Sequence, residues 1–206
     1  MSKDEVLKGI MQRYLDLVSR TSFRILCDSE DSEAVTVDVF TSVWAHLEGY
    51  DGSVPMRQWI LSLTVRKSRL RIARRRLMYV FGRRPDLYFT SSPKVLDQDD
   101  YITKLAWEIY CRASSGMTSV QRIVYTLIVL EQLSEEEVSD VTGLSNLRIR
   151  YAAETAENRL KAELEKYGRA ESYPDYKKFL RKVRDDVTEK IRVEKEIIEI
   201  AQPPVP

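Results

Sequence analysis

An arginine-rich stretch without acids, between Asp51 and Asp86, constrains this 206-residue chain more than any other feature. It holds ten of the 33 Lys and Arg residues, seven of them within residues 66–76. The rest of the chain carries 23 basic and 32 acidic residues, so the net charge of +1 conceals a cationic block. Such a block is typical of a face that binds a polyanion, most often nucleic acid, and a merely solvated helix is the alternative. The apolar residues interleaved with the cations are Trp59, Ile60, Leu63, Leu70, Ile72 and Leu77.

The composition indicates a folded, mostly helical protein, because 43% of residues are apolar and only seven are Gly and seven Pro. There is no uncharged apolar run of about 18 residues that could span a membrane. The start of the chain lacks the apolar core of a secretory signal, which predicts a cytoplasmic location.

The chemistry-bearing residues favour a protein that is not an enzyme. Cys27 and Cys111 are far apart among apolar neighbours, which predicts buried thiols rather than a disulfide or metal site. His46 is the only histidine, with no Cys nearby to share a metal. A nucleic-acid enzyme is disfavoured because the chain has no paired carboxylates, metal cluster or glycine-rich phosphate loop. We therefore predict no catalytic residue, no metal and no cofactor.

Apolar spacing predicts three helices before residue 80. The first spans about 3–26. The second spans about 31–47, although the alternation of valines at 35–39 leaves a strand as the alternative. The third begins at Pro55, a residue suited to a first helical turn, and runs to about Tyr79. Its predicted apolar side consists of Trp59, Leu63, Leu70 and Leu77.

The predicted fold class is all-α, with two small helical domains joined by a flexible linker and followed by a C-terminal extension helix. The first domain spans 1–84, and the acidic, aperiodic segment 85–100 is the linker. The second domain spans 101–168. The extension at 169–206 combines an amphipathic helix with a disordered tail; the helix packs on the second domain, binds a regulator or pairs with a copy of itself. Its apolar stripe follows Tyr176, Leu180, Val183, Val187, Ile191, Glu194 and Ile198.

Residues 133–160 have the pattern of a helix-turn-helix motif. Ser134 and Glu137 have the spacing of a capping box, which starts a short helix. Gly143 supplies a left-handed turn, and Ser145 can cap the longer second helix. The second helix of such a motif lies in the major groove of DNA, and an ordinary helical hairpin is the alternative. The side chains predicted to face inward are Val138, Val141, Leu144, Leu147, Ile149 and Ala153.

Three segments occur in the order and spacing typical of bacterial sigma factors of the extracytoplasmic-function (ECF) group, and residues 8–165 resemble this family. Residues 31–47, Asp-Ser-Glu-Ala-Val-Thr-Val-Asp-Val-Phe and onward, resemble its core-binding helix. Residues 55–63, Pro-Met-Arg-Gln-Trp-Ile-Leu-Ser-Leu, resemble the start of the helix that follows. Residues 117–160 resemble the fourth conserved region, through Gln-Arg-Ile-Val, Leu-Ser-x-Glu-Glu and Gly-Leu-Ser.

The resemblance implies a promoter-specificity subunit whose partners are core RNA polymerase, through its clamp and flap, and promoter DNA. The helix at 31–47 would bind the clamp. The turn and the basic helix that follow it would bind the −10 element, and the helix that starts at Ser145 would bind the −35 element. An anti-sigma factor is a further candidate partner, and no small-molecule substrate is expected. The implied polymerase-binding residues are Asp31, Glu33, Val37, Asp38 and Thr41. The implied DNA-binding residues are Tyr50, Arg57, Arg66, Lys67, Arg69, Arg71, Arg74, Arg75, Arg76, Ser145, Asn146, Arg148, Arg150 and Tyr151.

The chain departs from the family pattern at three places. The Ala-Arg-Asn…Asp-Arg signature of the basic helix is Thr-Val-Arg…Leu-Arg at 64–71, without the Asn and Asp tied to promoter opening. Val37 replaces the family's Gln at the clamp contact. Glu154 and Glu157 would lie near phosphates, where their charge is repulsive. These departures support an alternative function: a sigma-like interaction protein that binds polymerase or a regulator without opening promoters.

Overall fold

The computed structural model describes residues 2–80 and 98–167, together with 179, 180 and 183. Every regular element within these residues is helical and none is a strand, which confirms the predicted all-α fold class. Contacts divide the chain into two compact units, built mainly from the residues before and after Arg84. Of the predicted linker at 85–100, residues 85–97 lie outside the described residues and residues 98–100 belong to a helix. Most of the C-terminal extension also lies outside the described residues. The functions assigned to the domains stay predictions.

The first unit consists of three helices whose bounds agree with the predicted ones to within two residues. Helix α1 spans Lys3–Leu26 and starts with a capping box between Ser2 and Glu5. Helix α2 spans Ser29–His46 and is followed by a 3₁₀ turn at Leu47–Gly49. Helix α3 spans Met56–Val80. Its first turn is closed by a hydrogen bond from Trp59 N to the Pro55 carbonyl (3.0 Å).

The segment at 35–39, ambiguous in sequence, is helical. The side chain of Asp28 starts α2 by accepting a hydrogen bond from Asp31 N (2.8 Å). Val35 and Val39 are fully buried and Val37 is half-buried, as residues four apart share one helical face. Helix α2 packs against both α1 and α3. The main core residues of the unit are Val18, Ile25, Val35, Val39, Phe40, Val43, Ile60 and Leu61.

The predicted apolar side of α3 is wrong in its second half. Leu70 and Leu77 are 55% and 57% exposed, and the neighbouring Met78 is 47% exposed. The face that α3 buries instead carries Leu61, Thr64, Val65, Ser68 and Ile72. The buried side of α3 thus includes small hydroxyl residues, and the larger leucines of the seven-residue repeat are exposed at positions 70 and 77.

The second unit contains α4 (Gln98–Ser115), α5 (Ser119–Tyr125), α6 (Glu135–Thr142) and α7 (Asn146–Tyr167). Helix α5 continues into a π-helical turn at Thr126–Leu130. Helix α7 packs against α4 and α5. The core residues include Ile109, Tyr110, Ile123, Val124, Leu127, Val138, Ile149 and Leu160. From the C-terminal extension, Phe179 and Val183 are helical, fully buried and part of this unit.

Candidate nucleic-acid interface

The outer face of α2 brings together four of the five residues implied in polymerase binding. Glu33, Asp38 and Thr41 are exposed and Val37 is half-buried. The Thr41 hydroxyl donates a hydrogen bond to the Val37 carbonyl (2.9 Å), so it is held against the helix. The four residues occupy adjoining turns on the side away from the core, where a partner helix has room to approach.

Asp31, the fifth of these residues, lies instead between α2 and α3 and is 6% exposed. Its two carboxylate oxygens contact the Nε atoms of Arg71 and Arg75. Arg75 also contacts Asp28, with 2.7 Å between its Nη2 and the Asp28 Oδ2. A polymerase-binding candidate and two DNA-binding candidates are thus joined in one ion-pair cluster. Their implied external contacts stay predictions, but the contacts that the structure contains hold α2 to α3.

The remaining cations of α3 differ in how far they reach solvent. Arg66, Arg74 and Arg76 are exposed, and none of them forms an ion pair with the part of the chain that the structure describes. Lys67 and Arg69 are half-buried, and Nη2 of Arg69 is fully buried. Arg57 is half-buried in the first turn of the helix. The cationic face is therefore centred on three arginines, with Leu70 and Leu77 exposed among them.

The turn before α3 holds a pair of aromatic rings. Tyr50 and Trp59 stack with their centroids 4.9 Å apart and their planes at 26°. The Tyr50 hydroxyl donates to the Val54 carbonyl (2.6 Å), which closes the turn. Hydrogen bonds from the Ser53 side chain and backbone hold the pKa of the exposed Asp51 below its ordinary value. Both rings are half-buried, so each retains a surface on which a base could stack.

The turn between α6 and α7 has the geometry that the sequence predicted. Ser134 and Glu137 form a reciprocal capping box, with Ser134 N donating to Glu137 Oε2 (2.8 Å) and Glu137 N to Ser134 Oγ (3.2 Å). Gly143 adopts the left-handed conformation at φ 70° and ψ 18°. The Ser139 hydroxyl then donates to the Leu144 carbonyl (2.8 Å), across the turn. These bonds fix where α7 begins.

One side of helix α7 is buried, and its opposite side exposes two large side chains, Leu147 and Tyr151. Its core side is formed by Ile149, Ala152, Ala156 and Leu160. The prediction that Leu147 faces inward is wrong, because this residue is 82% exposed. The neighbouring side chain one turn later, Tyr151, is 69% exposed. Leu144 and Ile149 already fill the space at the turn, which leaves Leu147 directed away from the core.

The charges around α7 are mostly engaged within the unit. Arg150 Nε lies 2.9 and 2.8 Å from the two carboxylate oxygens of Glu135. Arg159 donates from Nη1 to the Gly116 carbonyl. Ser145, Asn146 and Arg148, in contrast, are exposed at the start of the helix. Residues 134–160 hold six acids and three arginines, so this surface is far less cationic than α3.

Other kinds of site are not seen in the described ranges. Within residues 2–80 and 98–167, no three His, Cys, Asp or Glu side chains come together in a way that could hold a metal ion. Among the helices that the structure describes, none is long and apolar enough to cross a membrane. Cys111 is buried and Cys27 half-buried, both as free thiols. Burial was predicted for both, and for Cys27 it is only partial.

Two solved structures have a similar fold. CnrH, solved in complex with the cytosolic domain of CnrY, has a TM-score of 0.57 and 18% sequence identity, over 79% of this chain and 89% of CnrH. The sigma factor RpoE, solved with the anti-sigma factor NepR from Bartonella quintana, has a TM-score of 0.55 and 18% identity, over 80% of this chain and 98% of RpoE. No protein-family model matches the sequence, and no curated protein does. The chain is therefore similar in fold, and distant in sequence, to a sigma factor.

Proposed function

We propose that this protein is a divergent sigma factor of the ECF group, which directs core RNA polymerase to promoters. The observation that supports this most strongly is the fold shared with the sigma factor RpoE over 80% of the chain. A second supporting observation is that α3, a helix without acidic residues, exposes three arginines. A sigma-like fold with a retained cationic face favours a role at DNA over one confined to protein binding.

In this proposal, α2 binds the polymerase clamp through Glu33, Val37, Asp38 and Thr41. These residues share an outward face that no other described helix of the first unit covers. Asp31 also positions α3 on α2 through Arg71 and Arg75, and its implied contact with polymerase stays a prediction. The clamp-binding and DNA-binding helices thus form one rigid pair, and a mutation at Asp31 would alter both functions.

Helix α3 would bind the −10 element and its opened strand. Arg66, Arg74 and Arg76 are the side chains available for phosphates, whose neutralisation gives salt-dependent affinity. The stacked rings of Tyr50 and Trp59 lie at the start of the helix and offer a platform for an unpaired base. Cations along a helix with aromatic rings at one end are the combination that binds single strands.

Helices α6 and α7 would form the helix-turn-helix that contacts the −35 element. The glycine turn and capping box set the angle between the two helices, and the second helix presents its first turns outward. An anti-sigma factor is the proposed regulator, supported by the neighbour RpoE, which was solved with one.

The alternative function is a sigma-like protein that binds polymerase or a regulator without opening promoters. It is favoured by the excess of acids around α7 and by the missing Asn and Asp in the basic helix. The proposed function requires both polymerase binding and initiation, whereas the alternative requires binding to polymerase or to a regulator without initiation.

Run-off transcription with purified core polymerase and a promoter library tests the proposal. We expect transcripts that depend on the added chain, and loss of polymerase binding when Asp38 and Thr41 are both replaced by Ala. Ala substitutions at the exposed Ser29 and Glu30, near the start of α2, provide a surface control. Polymerase binding without initiation at any promoter would support the alternative, and no polymerase binding would exclude the proposed function and leave only the alternative in which the partner is a regulator.

A further inference from the structure

The outward face of α7 has a defined chemical character. Relative to the buried stripe formed by Ile149 and its neighbours, the opposite side of the helix carries Leu147, Tyr151, Glu154 and Asn158. Glu154 and Asn158 are exposed, as are Leu147 and Tyr151. The four residues form a single line because they are spaced by four, three and four positions. This line begins in the first turn of the helix.

The arginines of α7 lie beside this line and not on it. Arg150 lies on one flank, where both carboxylate oxygens of Glu135 hold its Nε. Arg148 lies on the other flank and is exposed. The commonest specific contact in the major groove is a bidentate Arg–guanine pair, which needs a guanidinium directed at the base edges. The centre of α7 offers an aliphatic group, a phenol and a carboxylate instead.

These groups match the major-groove edges of pyrimidines. Thymine is the base that presents a methyl group there, and apolar side chains contact it. Cytosine presents an amino donor at N4, which a carboxylate accepts. We propose that α7 recognises pyrimidines, with Leu147 and Tyr151 contacting thymine methyl groups and Glu154 accepting a hydrogen bond from cytosine N4. This inference rests on the proposed function, of which it specifies the upstream promoter element.

This face of α7 is less suited to binding a protein partner than to binding DNA. A stable protein interface covers about 800 Å² on each partner, whereas the apolar part of this face consists of two side chains. The exposed Ser145, Asn146 and Arg148 at the start of α7 provide hydroxyl, amide and guanidinium donors, which are the groups that contact phosphates beside a groove. DNA fits this combination of a narrow apolar centre and a polar edge.

The scarcity of available cations has a further consequence. Sequence-independent affinity scales with the number of phosphates neutralised, and α7 has few free arginines for that purpose. In the holoenzyme, polymerase and the cations of α3 would supply most of the affinity for the promoter. Helix α7 would then contribute selectivity among upstream elements.

Deoxyuridine, which differs from thymidine by the absence of the C5 methyl group, tests the inference. With the full chain in holoenzyme, a promoter selected from the library is made with deoxyuridine in place of each upstream thymidine in turn. We expect affinity to fall about fourfold at each contacted thymine, the effect of one buried methyl group. Leu147→Ala should weaken binding to the thymidine promoter and abolish the effect of deoxyuridine at the thymine that Leu147 contacts, while the effect at the thymine that Tyr151 contacts remains. Glu154→Leu, which removes the acceptor oxygens, should remove the preference for cytosine at the neighbouring position.

Arg148→Ala is the matched control, because loss of a phosphate contact should weaken binding to both DNAs equally. Circular dichroism checks that Leu147→Ala remains folded, as expected for a residue that is 82% exposed. Promoter-dependent initiation with equal affinity for thymidine and deoxyuridine DNA would overturn the inference and leave the proposed function intact. Absence of initiation at every promoter would overturn the proposed function and this inference with it.

Discussion

Helices α3 and α7 are the two candidate DNA-facing helices, and they use their arginines differently. Helix α3 has eight Lys and Arg and no acid in 25 residues. Helix α7 has five such cations and four acids in 22 residues. In both helices, some arginines form ion pairs with carboxylates of the same unit. Arg71 and Arg75 pair with Asp31, and Arg150 pairs with Glu135. After these pairs form, α3 remains a cationic face and α7 does not.

This difference teaches that the number of arginines in a sequence overestimates the charge available to DNA. What matters is which guanidinium groups remain exposed, and are not held by another group of the described residues, once the helices have packed. On α3 these are Arg66, Arg74 and Arg76, and at the start of α7 it is Arg148. The proposed function therefore assigns affinity mainly to α3 and selection mainly to α7.

The largest expected effect distinguishes the arginines of α3 that pair with Asp31 from those that are exposed. Replacing Arg71 and Arg75 together by Met should lower the free energy of unfolding by about 3 kcal/mol, because Asp31 would be buried without a partner. This value is at the low end of the usual cost of breaking a buried ion pair, because the side chains of Arg71 and Arg75 are 32% and 24% exposed. Urea denaturation measures the change. The matched control, Arg74→Met with Arg76→Met, should stay within about 0.5 kcal/mol; equal losses would mean that the cluster contributes no stability.

The second prediction compares the salt dependence of DNA binding. Arg74→Ala with Arg76→Ala should reduce the slope of log affinity against log salt by about 1.8, which corresponds to two phosphate contacts. Arg148→Ala on α7 should reduce it by about 0.9 at most. Fluorescence anisotropy with labelled promoter DNA measures both slopes. A larger change for Arg148 than for the α3 pair would reverse the assignment of affinity to α3.

The third prediction concerns the turn that sets the start of α7. Gly143→Ala should destabilise the second unit by about 1 to 2 kcal/mol, because φ at this position is +70° and an L side chain is strained there. Gly9→Ala is the control: an added Cβ meets nothing within 4 Å in α1, so it should stabilise by about 1 kcal/mol. Thermal unfolding measures both. We also expect the Gly143 variant to lose upstream selectivity, and unaltered selectivity would show that α7 tolerates a displaced start.

The smallest expected effect is a gain of binding. Glu135→Gln should release Arg150 and remove one acid near the DNA, at a cost in stability within about 0.5 kcal/mol since the pair is solvent-accessible. The salt slope should then become steeper by about 0.9 if Arg150 reaches a phosphate. Glu136→Gln, at an exposed neighbour, controls for the change in net charge. Identical slopes for both variants would indicate that Arg150 is not within reach of DNA.

The sequence predicted the features that depend on local signals. The helix start at Ser134 and the glycine turn at Gly143 are encoded by residues within three positions of one another, and the structure confirms them. The outward orientation of Leu70, Leu77 and Leu147 was not predicted. Apolar periodicity finds the faces of a helix, but when a helix has two such faces it does not show which one meets a neighbour.

The contacts of the candidate site were harder to predict than its composition. Asp31 and Arg71 are 40 residues apart, so no spacing rule connects them. Their separate assignments to polymerase and to DNA followed from the family resemblance, and these assignments stay predictions. Exposure after packing selects three of the seven cations in residues 66–76, a distinction that requires the tertiary structure.

The cluster at Asp31 also bears on how such a protein can diverge. One carboxylate on α2 pairs with two arginines on α3. A substitution at any of the three residues therefore leaves a charge without its full set of partners in a poorly solvated interface. Sequence change on the proposed polymerase-binding side of the first unit is thereby coupled to change on its proposed DNA-binding side. In distant relatives we expect positions 31, 71 and 75 to change together, while positions 66, 74 and 76 vary freely with the promoters that each protein serves.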